Sequence, residues 1–233
     1  MKGISLTFLV FLSSASLGLA TSCNPSTLNT TISAYEITKE NTTVFDVARA
    51  TKRGVCDIAR LNMMADVTIV PNVGQTFNIP GEICHPDNDS CILKDTGRTR
   101  TCVYGGPRLY YAVNGDTYEK IAVRLNITTE SLMSGSMQHG GSSSPNEVLP
   151  AGQFVKTPLC SPSQCVLQPY TLKYGVYKDL AEKYGTTVGQ IMMLSPTYNY
   201  SSHNSPSEDS GPYPSIDLPI NCTALSNNVT VLS

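Results

Sequence analysis

The stretch "YYAVNGDTYEKIAVRLNIT", residues Tyr110–Thr128, changes period in its middle. Before Asn114 the apolar residues alternate, as in a half-buried strand. After Asp116 the apolar residues Tyr118, Ile121 and Ala122 recur at the i, i+3, i+4 spacing of an amphipathic helix. Gly115 permits the sharp change of direction between them. Asp116 or Thr117 supplies a side-chain oxygen that can cap the helix N-terminus.

The same change of period occurs twice more. Upstream, Tyr35 and Ile37 alternate, and Val44, Val47 and Ala48 then share a helical face. Downstream, Tyr170 and Leu172 alternate before Tyr177, Leu180 and Ala181. Thr42 or Thr43 can cap the first of these helices, whereas Gly175 and Val176 offer the other no good cap. A second short helix follows in each unit, marked by Val55, Ile58 and Leu61, by Leu132 and Met133 (with Gly135 weakening the pattern), and by Val188, Ile191 and Leu194. Each unit closes on a strand: "QTFNIP", "QFVKTP" or "IDLPI". The fold class is α+β, a threefold strand–helix–helix–strand repeat.

A unit of roughly fifty residues buries too little apolar surface to be comfortably stable alone. Eight cysteines offer the staples: Cys23, Cys56, Cys84, Cys91, Cys102, Cys160, Cys165 and Cys222. No C-x-x-C pair suggests a metal site, and the even count suits disulfides in an oxidising compartment. If the two strands of a unit pair antiparallel, Cys102 lies beside Cys160, and Cys165 beside Cys222. The same logic joins Cys23 to Cys84 and leaves Cys56 with Cys91. Bridges between units are equally compatible with the spacing.

The N-terminus agrees with secretion. Lys2, the apolar run Ile4–Leu12 and the small-x-small triplet Gly18-Leu19-Ala20 form a signal-peptide pattern over residues 1–20. Nothing after Ala20 has the length of a membrane span. Asn-x-Ser/Thr triplets stand at Asn29, Asn41, Asn88, Asn126, Asn199, Asn221 and Asn228, each an acceptor for a glycan. Net charge is −2 and charged residues make up only 15% of the 233 residues. With no basic stripe, a nucleic-acid partner has no electrostatic footprint. A neutral, hydroxyl-rich partner fits better.

"YAVNGDTYEKIAVRLNIT…VLPAGQFVKTP" resembles a LysM module: Y-x-V-x-x-G-D-T, a helix containing I-A, a second helix, a P-G-Q turn and a strand. The first unit keeps Leu61-Asn62 and Pro71-Asn72-Val73-Gly74-Gln75, with Asn41-Thr42-Thr43 in place of G-D-T. The third keeps Tyr170, Leu180-Ala181 and Tyr184-Gly185-Thr186-Thr187, but lacks G-D-T and G-Q. The whole chain is similar to the fungal secreted LysM effectors. The resemblance implies three βααβ modules, each a two-stranded antiparallel sheet with both helices on one face. They span 32–84, 108–160 and 166–222, with a linker at 85–107, an insertion at 196–214 and a tail at 223–233.

The resemblance also implies binding of chitin or N-acetylglucosamine oligomers, without cofactor, in a groove between two loops. By position the first loop is Asn41, Thr42 and Thr43; Gly115, Asp116, Thr117 and Tyr118; or Gly175, Val176 and Tyr177. The second is Ile69, Val70 and Pro71; Val148, Leu149 and Pro150; or Pro214, Ser215 and Ile216. Helix ends carry backbone N–H and C=O groups suited to an uncharged ligand, and tight Gly/Pro turns let backbone approach a sugar. Modules on one chain can share an oligomer at high effective concentration; a ligand-induced dimer is the intermolecular version. A glycan on Asn41 would stand in the first loop of the first unit.

A wall hydrolase is the rival class, and a structural or adhesive wall protein another. A glycosidase needs two carboxylates flanking a cleft. Glu119 and Glu130 read as solvated or capping residues on short helices, and Glu208-Asp209 falls in a Ser/Pro-rich stretch. His85, His139 and His203 share no spacing. Met63-Met64 and Met192-Met193 read as core filler, and Lys94, Arg98 and Arg100 as solvated linker residues.

Overall fold

The computed structural model describes residues 25–95, 97–98, 102–104, 108–137, 144–195, 213 and 215–224. The leader at 1–20, Cys23, Arg100, His139, Asn199, His203, Glu208, Asp209, Pro214 and Asn228 lie outside the described residues, as does most of the 196–214 insertion.

A short 3-10 helix at Pro25–Asn29 precedes the first unit, which comprises β1 (Thr31–Glu36), α1 (Val44–Thr51), α2 (Val55–Leu61) and β2 (Thr76–Pro80). The second comprises β3 (Cys102–Val103), β4 (Leu109–Tyr111), α3 (Tyr118–Leu125), α4 (Thr129–Met137), β5 (Phe154–Lys156) and β6 (Leu159–Cys160). The third comprises β7 (Gln164–Thr171), α5 (Tyr177–Tyr184), α6 (Val188–Leu194) and β8 (Ser215–Thr223). Each sheet is two-stranded and antiparallel: β1 with β2, β3 with β6, β4 with β5, and β7 with β8.

Pairing of first strand with last puts the expected cysteines together. Cys102 and Cys160 face each other across β3 and β6 and are bonded, with Cα atoms 4.0 Å apart. Cys165 and Cys222 are bonded at 4.1 Å. Cys56–Cys91 ties α2 to the linker, Cα to Cα 5.4 Å. Cys84 is also disulfide-bonded; its expected partner, Cys23, lies outside the described residues.

The caps follow local chemistry. The Thr43 hydroxyl oxygen accepts the Asp46 N–H, and the Asp46 carboxylate accepts the Thr43 N–H, a complete capping box on α1. Thr117, not Asp116, caps α3 by accepting the Lys120 N–H. Helix α5 has no side-chain cap at Val176; the Asp179 carboxylate accepts the Val176 N–H instead.

The units share their cores. One apolar cluster joins Tyr110, Ile121 and Leu125 of the second unit to Leu180, Ile191 and Leu218 of the third, with Met63, Ala65 and Ile69 from the first. The other belongs to the first unit but includes Val176 of the third. Helices α3 and α6 cross where Gly189 lies: a Cβ there would stand 2.5 Å from Leu125 Cδ2, so a larger residue would force them apart. Sharing compensates for the little surface each unit buries alone. Met63, Met64 and Met192 lie in these cores, and Met193 packs half-buried against one.

Candidate functional site

The loops are positioned by a repeated backbone exchange. In the first unit the Ile37 N–H donates to the Gln75 carbonyl (2.8 Å), and the Gly74 N–H returns a bond to the Ile37 carbonyl (2.7 Å). In the second, Ala112 and the Gln153 carbonyl, then Gly152 and the Ala112 carbonyl, make the same exchange, each at 2.8 Å. Gly74 and Gly152 have φ of 86° and 90°, a conformation that L side chains avoid. The G-Q turn is thereby fastened to the end of the first strand, and the two loops leave from neighbouring points. In the second unit they also touch directly, the Leu149 N–H donating to the Asp116 carbonyl at 2.8 Å. The third unit lacks the G-Q turn and runs its strands in register to Thr171 and Ser215.

Exposure divides the candidate residues. Asn41, Val148, Pro150 and Ser215 are exposed, with Val148 at 63%. Thr42, Thr43, Val70 and Gly115 are half-buried. Ile69, Pro71, Asp116, Thr117, Tyr118, Leu149, Gly175, Val176, Tyr177 and Ile216 are buried.

Much of that burial comes from contacts between units. The Val70 N–H donates to the Asn114 carbonyl (3.3 Å), and a Cβ on Gly115 would stand 2.6 Å from Val70 Cγ2. The second loop of the first unit therefore rests on the first loop of the second. In the third unit, Gly175 N–H donates to the Arg60 carbonyl (3.0 Å) and Tyr177 N–H to the Met64 carbonyl (3.4 Å). The segment from Arg60 to Val70 is thus the shared support for two first loops.

Several groups expected to be unpaired are engaged. The Gly115 carbonyl accepts from Lys120 Nζ at 2.7 Å, and the Glu119 N–H donates to the Pro145 carbonyl at 3.0 Å. The Asp116 carboxylate accepts from Val113 N–H and from Arg124.

Arg124 was invisible to periodicity as a site residue. Its guanidinium is buried and reaches Asp66 (2.6 Å), Thr68 (3.1 Å), Tyr110 (2.9 Å) and Asp116. Burial pushes the Asp66 carboxyl up, but the Arg124 charge and hydrogen bonds from Thr68 and Arg124 outweigh it and hold it below its ordinary range. Arg60 makes a two-pronged bond to Asp179, both prongs at 2.9 Å, and a third to Asp87 at 2.8 Å. Arg98 is half-buried and pairs with Asp95 and Glu119, correcting its reading as a solvated residue; the Glu119 carboxylate also accepts from Thr129. Glu130 and His85 are exposed.

Among the described residues no helix is long and apolar enough to cross a membrane. Nor, among them, do three His, Cys, Asp or Glu residues gather as a metal set.

The sequence pattern of the LysM domain family matches residues 35–80 and 110–158, the first and second units. The chain is 45% identical to "Secreted LysM effector LysM13" of Penicillium expansum over 210 residues, 89% of this chain and 87% of that protein. It is 34% identical to "Secreted LysM effector ECP6" of Passalora fulva over 167 residues, 71% of each chain. "Intracellular hyphae protein 1" of Colletotrichum lindemuthianum is 35% identical over 126 residues, 52% of this chain and 51% of that one. With two matched units, a common βααβ order and near-full-length similarity, this extracellular, disulfide-bonded chain belongs to the secreted LysM effector family.

Proposed function

We propose that the protein binds chitin and N-acetylglucosamine oligomers without hydrolysing them, and that the third unit is a divergent third LysM module. The carrying observation is the backbone exchange of Ile37 with Gly74 and Gln75, and of Ala112 with Gly152 and Gln153. It ties the end of the first strand to the G-Q turn in both units, and in the second the Leu149 N–H also bonds the Asp116 carbonyl of the other candidate loop. The exposed parts of those loops, Asn41, Val148 and Pro150, are uncharged, which suits an uncharged polymer of hydroxyl and acetamide groups.

The first loop of the third unit is covered by the first unit, so ligand there requires the two to part. Sharing of one oligomer between units, or between two copies of the chain in a ligand-induced dimer, raises affinity through effective concentration. Outside the cell such a protein sequesters chitin fragments from host receptors, or shields hyphae from host chitinases. Absence of catalysis is supported by Glu119, whose carboxylate is committed to Arg98 and Thr129.

Titration calorimetry with N-acetylglucosamine oligomers, paired with retention on chitin beads, tests the reading. Heat of binding and retention are expected; neither heat nor retention overturns it. Light scattering with and without oligomer reports the dimer, and release of a fluorogenic chitin substrate would overturn the non-catalytic assignment. Association with hyphae without chitin binding would identify an adhesive wall protein instead.

A further inference from the structure

An open cleft of about 530 Å3 lies where the linker, the second unit and the third unit meet. None of the candidate loop residues lines it, and its volume is that of a small-ligand site. Leu93 of the linker, Val123 of α3, Ala181 of α5 and Val188 of α6 give it apolar walls. Ser90, Lys94 and Thr186 add polar groups.

Asn126 also lines this cleft. It is the C-cap of α3, at φ 55° and ψ 44°, where its backbone N–H bonds the Ala122 and Val123 carbonyls; asparagine tolerates this conformation better than most residues. Among the described residues its side-chain amide has no hydrogen-bond partner. Asn126-Ile127-Thr128 is a glycan acceptor triplet. The other described acceptors differ: Asn29, Asn41, Asn88 and Asn221 are exposed, and the Asn88 carboxamide oxygen already accepts the Val55 N–H at 3.2 Å.

We propose that Asn126 carries an N-linked glycan whose first two N-acetylglucosamine rings lie in this cleft, as a strut between the linker, α3 and the helices α5 and α6. The donor is a lipid-diphosphate-linked oligosaccharide of the secretory route. Asn126 Nδ2 forms a bond to the anomeric carbon, the carbon–oxygen bond to the diphosphate breaks, the lipid diphosphate leaves with the bonding electrons, and the amide proton passes to a base. Transfer to the unfolded chain precedes closure of the cleft, so half-burial of Asn126 in the folded protein is no obstacle. The apolar ring faces then cover Leu93, Val123, Ala181 and Val188, while acetamide and hydroxyl groups meet Ser90, Lys94 and Thr186. Outer sugars leave through the open side.

The test uses the full chain secreted from a glycosylating fungal host. Peptide mass mapping should find Asn126 occupied. An endoglycosidase that cuts between the two core N-acetylglucosamines should act on the native Asn126 glycan at least about tenfold more slowly than after denaturation, as expected when cleavage needs a transient opening. An unoccupied Asn126, or equal cleavage in both states, overturns the proposal. Asn126→Gly keeps the left-handed cap and removes the acceptor. It should speed proteolysis of the linker near Lys94, whereas Asn41→Gln should not; unchanged linker proteolysis in Asn126→Gly rejects the strut. An unglycosylated Asn126 with linker protection that rises on adding free chitobiose would assign the cleft to a soluble ligand, and it too overturns the proposal.

Discussion

Arg124 of α3 reaches Asp66, 58 residues earlier in the chain, with Nε 2.6 Å from Oδ2 and neither side chain more than 3% exposed. This pair fastens the second unit to the first beneath their touching loops. Asp66→Ala leaves a buried guanidinium short of one acceptor, and should cost about 3–5 kcal/mol of stability. Urea unfolding of the two proteins measures it; a loss below about 1 kcal/mol, the worth of an exposed pair, would show that water reaches the site.

Arg60 binds Asp179 through two nitrogens, joining the first unit to the third. Lysine keeps the charge but not the planar fork. Arg60→Lys should therefore destabilise by about 1–2 kcal/mol and speed amide exchange at Gly175 and Tyr177, whose N–H groups bond carbonyls of the Arg60–Met64 segment. Exchange unchanged at both amides would detach those bonds from the ion pair.

Gly115 has φ +83° and no room for a Cβ against Val70. Gly115→Ala should cost about 1–2 kcal/mol from backbone conformation alone. It should also lift the Ile69–Pro71 loop from the second unit. The combined readout is a lower melting temperature together with altered oligomer affinity; an affinity change without destabilisation would contradict the contact.

Acid should weaken the fold over a defined range. Hydrogen bonds from the Thr43 hydroxyl and N–H, then the Arg49 side chain, hold Asp46 from its ordinary 3.8 down to about 2. A folded pKa below the unfolded one gives stability that is full above pH 3.8 and lost as pH falls toward 2. Asp66, also held low, acts in the same direction. Asp57 opposes them: burial raises its pKa, so its contribution is present at low pH and lost as pH rises through the folded value. The lowered carboxylates should prevail, with melting temperature falling between about pH 4 and pH 2. Asp46→Asn should flatten that fall slightly, because the side chain is partly solvated. An unchanged slope would remove Asp46 from the account.

Asn41 is exposed in the first loop of the first unit, at φ 60°. A glycan there stands across the proposed groove, so Asn41→Gln should raise affinity for chitin oligomers severalfold in protein from a glycosylating host. Calorimetry on the glycosylated protein and the variant decides it. Equal affinities would place the glycan clear of the ligand.

Much of the local architecture was legible. Period two giving way to 3.6 marked each strand and first helix, and cysteines beside paired strand ends marked two bridges. Two caps were narrowed to Thr42 or Thr43 and to Asp116 or Thr117, and the fold uses Thr43 and Thr117. Asp116 was legible as a cap candidate and a first-loop residue, but its direct bond to Arg124, eight residues on, was not, because no local rule pairs those positions. Arg98 looked like a linker charge because Glu119, its partner, lies 21 residues on.

By itself the sequence determined the unit: alternation, helical stripe, corner glycine and G-Q turn are effects of neighbouring residues and can be read in a single window. Tertiary structure alone decided how the units share one another. Buried ion pairs and merged apolar cores depend on surfaces brought together from distant segments, so which loops are covered and which face solvent is set by packing between units.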